Sequence, residues 1–310
     1  MAALMAAAAT LIALSACGAS DDETAPEASP PDGAFPVDVE DGIGIVTIEQ
    51  QPVRIVSLSP TATETLFAIG AGEQVVAVDD QSDYPAGAPV TDLSGYEPNV
   101  EAIVAYKPDL VVLSDNSPSD LTEALDRLDI PVLAEPSATD FEQAYDQIQD
   151  LGAATGHVDQ ADKLVADMEQ RIEGLIEGLP EGPALTVFHE LGPDLYTASS
   201  GTFIGQVYEL LGLENVADEA ATQAGTDYPQ VSPEYLLTAD PDLVVLADGQ
   251  CCGVTPEQVA ARPGWEALSA VRGGAVVLVD EDVASRWGPR VPEFVEAAVE
   301  AIQLARDTSS

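Results

Sequence analysis

The stretch Val100-Glu-Ala-Ile-Val-Ala-Tyr-Lys-Pro-Asp-Leu-Val-Val-Leu-Ser-Asp115 returns without a gap as Pro233-Glu-Tyr-Leu-Leu-Thr-Ala-Asp-Pro-Asp-Leu-Val-Val-Leu-Ala-Asp248, at an offset of 133 residues. Each copy reads as a short helix, a turn at Pro-Asp and a strand of consecutive Leu and Val. A strand apolar on both faces must be covered on both, which is the mark of a parallel sheet flanked by helices. With the unit once in each half, a chain of 310 residues has the length for two α/β lobes of similar build.

The rest of the pattern agrees. Phe35 to Ile48 reads as two short strands around Asp41-Gly42. Strand-like runs follow at Val53 to Leu58, Gln74 to Val78, Leu110 to Leu113 and Pro131 to Leu133, alternating with helical periods at Ala62 to Ile69, Val100 to Ala105 and Leu121 to Leu128. From Asp159 to Leu179 the apolar residues Leu164, Met168, Ile172, Leu175, Ile176 and Leu179 recur mostly at threes and fours, and Pro180 and Gly182 end the run. Ala184 to Phe188, Leu243 to Leu246 and Ala275 to Val279 form the second strand set, and Pro292 to Leu304 a closing amphipathic helix. The predicted fold is α/β, with an N-terminal lobe over 35–150, a long linking helix within 151–182 and a C-terminal lobe over 183–310. Ligands of open α/β sheets sit outside the carboxyl ends of the strands, so two facing lobes share a cleft.

Residues 1–16 carry no charged side chain, are dominated by Ala and Leu, and are too short to span a bilayer comfortably. They read as a signal peptide. Leu14-Ser15-Ala16-Cys17 resembles the lipobox of bacterial lipoproteins, in which the cysteine is lipidated and becomes the first residue. Cleavage there leaves 310 − 16 = 294 residues, lipid-anchored through Cys17 to the extracytoplasmic face of a cell membrane. Residues 17–34 have no apolar period and read as a flexible tether.

Charge and motifs exclude more than they assign. With 55 acidic against 10 basic side chains the formal charge is −45, so no nucleic acid is expected as a partner. Such a carboxylate coat repels itself and is screened by salt, which suits a saline medium. No Gly-x-Ser-x-Gly elbow or Walker loop occurs, and Gly70-Ala-Gly72 lacks the third glycine of a dinucleotide fingerprint. No catalysis, cofactor or resident metal is expected. The two histidines, His157 and His189, are few for an imidazole metal site. His157 reads as a surface residue at a helix start; His189, ending a strand, fits either the cleft or the core.

Four of eight tyrosines fall in predicted loops: Tyr84 and Tyr96 in the first half, Tyr196 and Tyr228 in the second. A flat apolar ring with a polar tip suits a large planar or chelated ligand held between lobes. Arg286 and Arg290, two of the ten basic residues, follow the last strand and could hold an anionic group or merely compensate the acidic surface. Cys251 and Cys252 are adjacent in a predicted loop after Leu246; they form a candidate disulfide that staples the loop, or a ligand-contacting or metal-binding pair.

Several segments together resemble the substrate-binding lipoproteins of ABC importers for cobalamin and ferric siderophores. They are Arg54-Ile-Val-Ser-Leu-Ser-Pro-Thr-Ala-Thr-Glu64-Thr-Leu-Phe-Ala-Ile-Gly70, Asp83-Tyr-Pro, Lys107-Pro-Asp-Leu-Val, Leu213-Glu-Asn215 and Gly288-Pro-Arg290. The resemblance runs from about Phe35 to Leu304. It implies two α/β lobes joined by one long helix, a metal-chelate ligand (a ferric siderophore or a corrinoid), delivery to a permease with its ATPase, and a monomer. It further implies docking of one glutamate per lobe onto permease arginines, at positions matching Glu64 and Glu214, and cleft aromatics near Tyr84, Tyr96, Tyr196 and Tyr228. Glu64 also fits a Thr61-x-x-Glu64 capping box, and Glu214 an ordinary surface carboxylate. The Cys251-Cys252 pair departs from the family pattern and leaves open a lipid-anchored thiol/disulfide redox protein or a ligand sensor.

Overall fold

The structure, a computed structural model, describes residues 35–42, 44–114 and 119–308. The expected signal peptide, the tether, the lipidation site Cys17 and Asp115 of the repeat lie outside the described residues. Strands β1 (Val37–Glu40) and β2 (Ile45–Ile48) form an antiparallel hairpin, with Val37 opposite Ile48. A first α/β set follows: β3 (Ile55–Leu58), α1 (Pro60–Ala68), β4 (Val75–Val78), α2 (Val100–Ala105), β5 (Leu110–Ser114), α3 (Ser119–Asp126), β6 (Val132–Glu135) and α4 (Phe141–Thr155). Helix α5 (Val158–Glu177) leads to the second set, which opens with β7 (Thr186–Glu190), α6 (Phe203–Leu210), β8 (Glu214–Asn215), α7 (Asp218–Ala224), α8 (Pro233–Ala239) and β9 (Leu243–Leu246). It closes with α9 (Gly249–Cys252), α10 (Pro256–Ala260), α11 (Ser269–Arg272), β10 (Val276–Leu278), α12 (Glu281–Ser285) and α13 (Val291–Thr308).

Each set makes one parallel four-stranded sheet, in the orders β4-β3-β5-β6 and β10-β9-β7-β8. Numbered from its own first strand, each sheet reads 2-1-3-4. The repeat copies fill the same slot in each: Ile55 lies opposite Leu110 in the first sheet, and Val187 opposite Leu243 in the second. The duplicated sequence is thus a duplicated α/β unit.

Successive strand residues face opposite sides of a sheet. Ile55, Leu110, Val112 and Leu133 of the first sheet share one core with Val187, Leu243 and Val245 of the second. Side chains of α1, α4, α5, α6 and α13 fill the same core, among them Leu66, Ile148, Met168, Val207 and Phe294. On the outer faces, Val56, Leu58, Val111 and Leu113 meet Ile103 of α2 and Leu121 and Leu125 of α3, while Phe188, Val244 and Leu246 meet Leu236 and Trp265. Coverage on both faces is why the strands are unbroken runs of Val, Leu and Ile.

Helix α5 links the lobes. Its buried residues Ala161, Val165, Met168 and Ile172 are spaced by four, three and four, a single stripe. It packs on α4 and on α13. Burying each of its larger apolar side chains stabilises the fold by roughly 1.5–3 kcal/mol. The helix stops at Glu177, with Gly178 as its C-cap and Pro180 beyond, two residues short of the predicted end. Residues 150 and 151, the expected boundary between first lobe and linker, lie inside α4, so the linker begins after a further helix of the first lobe. Among the described residues no helix is long and apolar enough to cross a membrane.

Candidate functional site

Loops at the carboxyl ends of β4 and β7, and one helix–helix loop, carry the tyrosines. Tyr84 and Tyr96 lie in the β4–α2 connection, Tyr196 between β7 and α6, and Tyr228 between α7 and α8. Their relative exposures are 47%, 89%, 48% and 52%, so four large rings meet solvent on two lobes. Exposed aromatic surface of this kind gains free energy when a ligand covers it. Backbone bonds hold the loops. Asp79 bridges Leu93, and the Asp80 N–H donates to the Leu93 carbonyl. In the other lobe Tyr196 bridges Gln230, Thr197 N–H donates to Pro229 O and Val231 N–H to Leu195 O, which brings the Tyr196 and Tyr228 loops together. Burial, then the neighbouring Asp227, raises the pKa of the Tyr228 hydroxyl and keeps it a neutral donor.

The charged residues fall differently from the expectation. Helix α1 starts at Pro60 with Ser59 as its N-cap, so Thr61 sits in the first turn and the Thr61–Glu64 capping box does not form. One turn along, Glu64 is 2% exposed. Arg286 Nη1 donates to Glu64 Oε1 at 2.8 Å, Arg290 Nε to Oε2 at 2.8 Å and Arg290 Nη2 to Oε1 at 2.5 Å. Arg286 also donates to Asp282 Oδ1 at 2.6 Å, Gln81 O at 3.1 Å and Asp83 Oδ1 at 3.2 Å. Two expectations are therefore corrected. Glu64 does not stand at an open rim for a permease, because its carboxylate is enclosed by two guanidiniums. Arg286 and Arg290 are not free for a ligand's anionic groups, because a desolvated carboxylate requires such partners and has taken both. The Glu64 carboxylate in turn holds Arg290 more firmly protonated. Burial raises the pKa of Asp282, with Arg286 pulling it the other way.

The same loop makes further contacts with the first lobe. Trp287 Nε1 donates to Gln147 Oε1 of α4 at 2.8 Å, and Arg290 lies over the Tyr84 ring at 4.3 Å from its centroid. Between Trp287 and helices α1 and α4 only about 10 Å³ of space is left, lined by Ser59, Thr65, Glu135 and Gln147 among others. Glu135, at the end of β6, has its pKa raised by burial, and its Oε1 has no hydrogen-bond partner.

The second lobe holds a charge cluster of its own, which sequence reading missed. Glu190 ends β7 with no exposure and receives Arg262 Nη1 and Nη2, each at 2.6 Å. Arg262 in turn lies over Trp265 at 4.6 Å. Asp248, just past β9, is fully buried beside Glu190; burial, then the Glu190 charge and a carboxyl–carboxylate hydrogen bond with Glu190, push its pKa up to about 6, with Arg262 pulling it the other way. The available signal was its place at the end of the repeat. Cys251 and Cys252 are joined as a disulfide inside α9 rather than in a loop, with the Cys251 N–H donating to Glu281 Oε2 at 3.0 Å. His189 is 1% exposed, with Nδ1 2.6 Å from the Tyr208 hydroxyl, so it belongs to the core; burial pushes its pKa down to about 3 and keeps it neutral. His157 caps α5 and contacts Thr155 O through Nδ1 at 3.0 Å. Glu214 is exposed on β8. Among the described residues no group of three or more His, Cys, Asp and Glu side chains is arranged to hold a metal ion.

A groove of about 830 Å³ lies at the opposite, amino-terminal ends of β5 and β6, lined by Ile45, Val53, Asp109, Asp126 and Ile130 among others. None of the sequence-predicted site residues lines it.

Comparison with known proteins places this geometry. A family model described as periplasmic binding protein matches residues 55–283. An uncharacterised ABC transporter substrate-binding lipoprotein of Bacillus subtilis (strain 168) is 33% identical over 301 residues, covering 94% of this chain and 93% of its own. A cobalamin-binding protein of Halobacterium salinarum (strain ATCC 29341 / DSM 671 / R1) is 30% identical over 269 residues, covering 84% and 72%. Among solved structures, the periplasmic vitamin B12-binding protein BtuF of Vibrio cholerae superposes with a TM-score of 0.69 at 27% identity, over 82% of this chain and 98% of that one.

Proposed function

The chain belongs to the periplasmic binding protein family, and from that premise we propose that it captures a metal chelate between its lobes and delivers it to the permease and ATPase of an ABC importer. The observation that carries this reading is the set of four half-exposed or exposed tyrosines, two on the connecting loops of each lobe. Rings on two facing walls suit a macrocycle with two broad faces. Of the chelates, a corrinoid fits better than a haem that needs an imidazole from the protein, because His189 is buried and His157 is engaged at the α4–α5 junction. Similarity to the cobalamin-binding protein of Halobacterium salinarum supports the same choice. A ferric siderophore is the next candidate. The protein acts as a monomer on the extracytoplasmic face of the membrane, anchored through a lipid on Cys17, with Glu214 as the exposed carboxylate that meets the permease. An exposed charge of that kind sets orientation and encounter rate more than affinity.

The test is a titration with cyanocobalamin, with a ferric siderophore run in parallel. Replacing both Tyr84 and Tyr228 by Ala weakens binding at least about tenfold, roughly 1.4 kcal/mol. Unchanged affinity in that double variant would remove the ligand from this cleft.

A further inference from the structure

The segment Arg286–Arg290 belongs to the second lobe by sequence and topology, following β10 and preceding α13, yet its side chains reach the first lobe. Arg286 and Arg290 meet Glu64 of α1, Trp287 meets Gln147 of α4, and Arg286 reaches the backbone of Gln81 and the carboxylate of Asp83. Gly288 packs close to Thr61, where an added Cβ would lie 3.4 Å from the Thr61 carbonyl oxygen. Both guanidiniums are nearly buried, with side-chain exposures of 10% for Arg286 and 13% for Arg290. A buried ion pair of this kind contributes little net stability against an apolar replacement, so its value lies in the geometry it fixes.

What it fixes can be followed outward. Glu64 holds Arg290 through a two-pronged contact, and the Arg290 guanidinium lies over the Tyr84 ring, 4.3 Å from its centroid. Arg286 holds the two ends of the turn that precedes Tyr84, at Gln81 and Asp83. Tyr84 nevertheless keeps 47% of its surface open. Its ring is thus backed by one lobe's arginine while it belongs to the other lobe's loop.

We propose that Glu64, Arg286 and Arg290 form an interlobe latch whose outermost member is Tyr84, so that a planar chelate stacking on the open face of Tyr84 and the lobes settling into one spacing are a single coupled event. Arg286 and Arg290 are then positioning residues that act through Tyr84. The ligand half of this inference rests on the chelate-capture reading; the latch half does not. An arginine–aromatic contact shielded from water is strong enough to orient a ring, and residues that act as one unit give non-additive losses.

The test joins a distance to an affinity. Spin labels on Val90→Cys, 99% exposed in the first lobe, and Glu257→Cys, exposed in the second, report lobe separation in a Cys17→Ser background. In the ligand-free protein, the double variant R286K/R290K keeps both charges but loses the forked contacts. Its distance distribution is expected to be broader than that of the otherwise unaltered labelled chain. In cyanocobalamin titrations, Arg290→Met and Tyr84→Ala each weaken binding by about fivefold, and the double variant is no weaker than Tyr84→Ala alone within about twofold. An unchanged distance distribution in R286K/R290K overturns the latch, and multiplied losses near 25-fold, about five times five, overturn the coupling through Tyr84. If the unaltered protein binds no cyanocobalamin, the chelate reading fails, and the distance comparison still decides the latch.

Discussion

The two lobes share one strand order and one repeated unit, yet they treat a buried carboxylate in opposite ways. In the first lobe β3 ends on apolar Leu58 and passes through Ser59 straight into α1, and the buried carboxylate one turn on, Glu64, is neutralised by arginines from the other lobe. In the second lobe the strand in the same slot, β7, ends on Glu190, which is neutralised within its own lobe by Arg262. A loop then intervenes before α6 and carries Tyr196. Where the partner comes from decides what a charge does: a borrowed arginine ties lobe to lobe, while a local one leaves the lobe self-contained. The rings divide accordingly. Tyr84 is backed by the cross-lobe arginine, whereas the Tyr196 and Tyr228 loops are tied to each other by main-chain bonds and by Ser199 donating to Asp227, within the second lobe.

The sharpest way to break the contrast is to remove each carboxylate. Glu64→Ala leaves two nearly buried guanidiniums without their shared partner and is expected to cost about 3–5 kcal/mol in denaturant unfolding. Glu190→Ala takes from Arg262 its forked partner but leaves it 23% exposed, over the Trp265 ring and near the Asp248 carboxyl, and is expected to cost less, about 2–3 kcal/mol. Equal losses, or a larger one for Glu190→Ala, would contradict the division.

A smaller, pH-dependent effect is expected from the second lobe's Asp248. The Asp248 carboxyl ionises near pH 6 in the folded protein, against about 3.9 in an unfolded chain. Between those values the folded state keeps a proton that the unfolded state has released. The stability contribution is therefore complete below about pH 4 and is lost as pH rises through about 6. Asp248→Asn removes that loss, so the variant is expected to gain roughly 1–2 kcal/mol over the parent at pH 8 relative to their difference at pH 4. Asp150, also pushed up to about 6 by burial and by Asp146, supplies a residual slope in both proteins. An unchanged pH dependence in the variant would mean that Asp248 is ionised in the folded state throughout this range.

Much of the fold was legible because the strands are covered on both faces. Leu110 to Leu113 and Leu243 to Leu246 have no polar residue to place outward, and their shared slot follows from the repeat. Helix α4 escaped notice because its buried face includes Ala144, Gln147, Gly152, Ala154 and Thr155, which dilute an apolar period. Strand β8 is two residues long and leaves no pattern. The loop positions of the tyrosines could be read because they fall among turn residues in a chain with few aromatics. The fate of the arginines was hidden: Glu64 lies 222 residues from Arg286 and 226 from Arg290, and no local period records a pairing across that distance. Glu190 and Arg262, 72 residues apart, were hidden for the same reason.

The central claim is that the two lobes close on a metal chelate, and the direct measurement is the visible absorption spectrum of the purified protein mixed with cyanocobalamin in moderate salt and then desalted. The account predicts corrinoid colour retained at about one equivalent per chain, the stoichiometry of a single interlobe cleft. Folded protein that emerges colourless from cyanocobalamin, and likewise from a ferric siderophore and from haem, would contradict it.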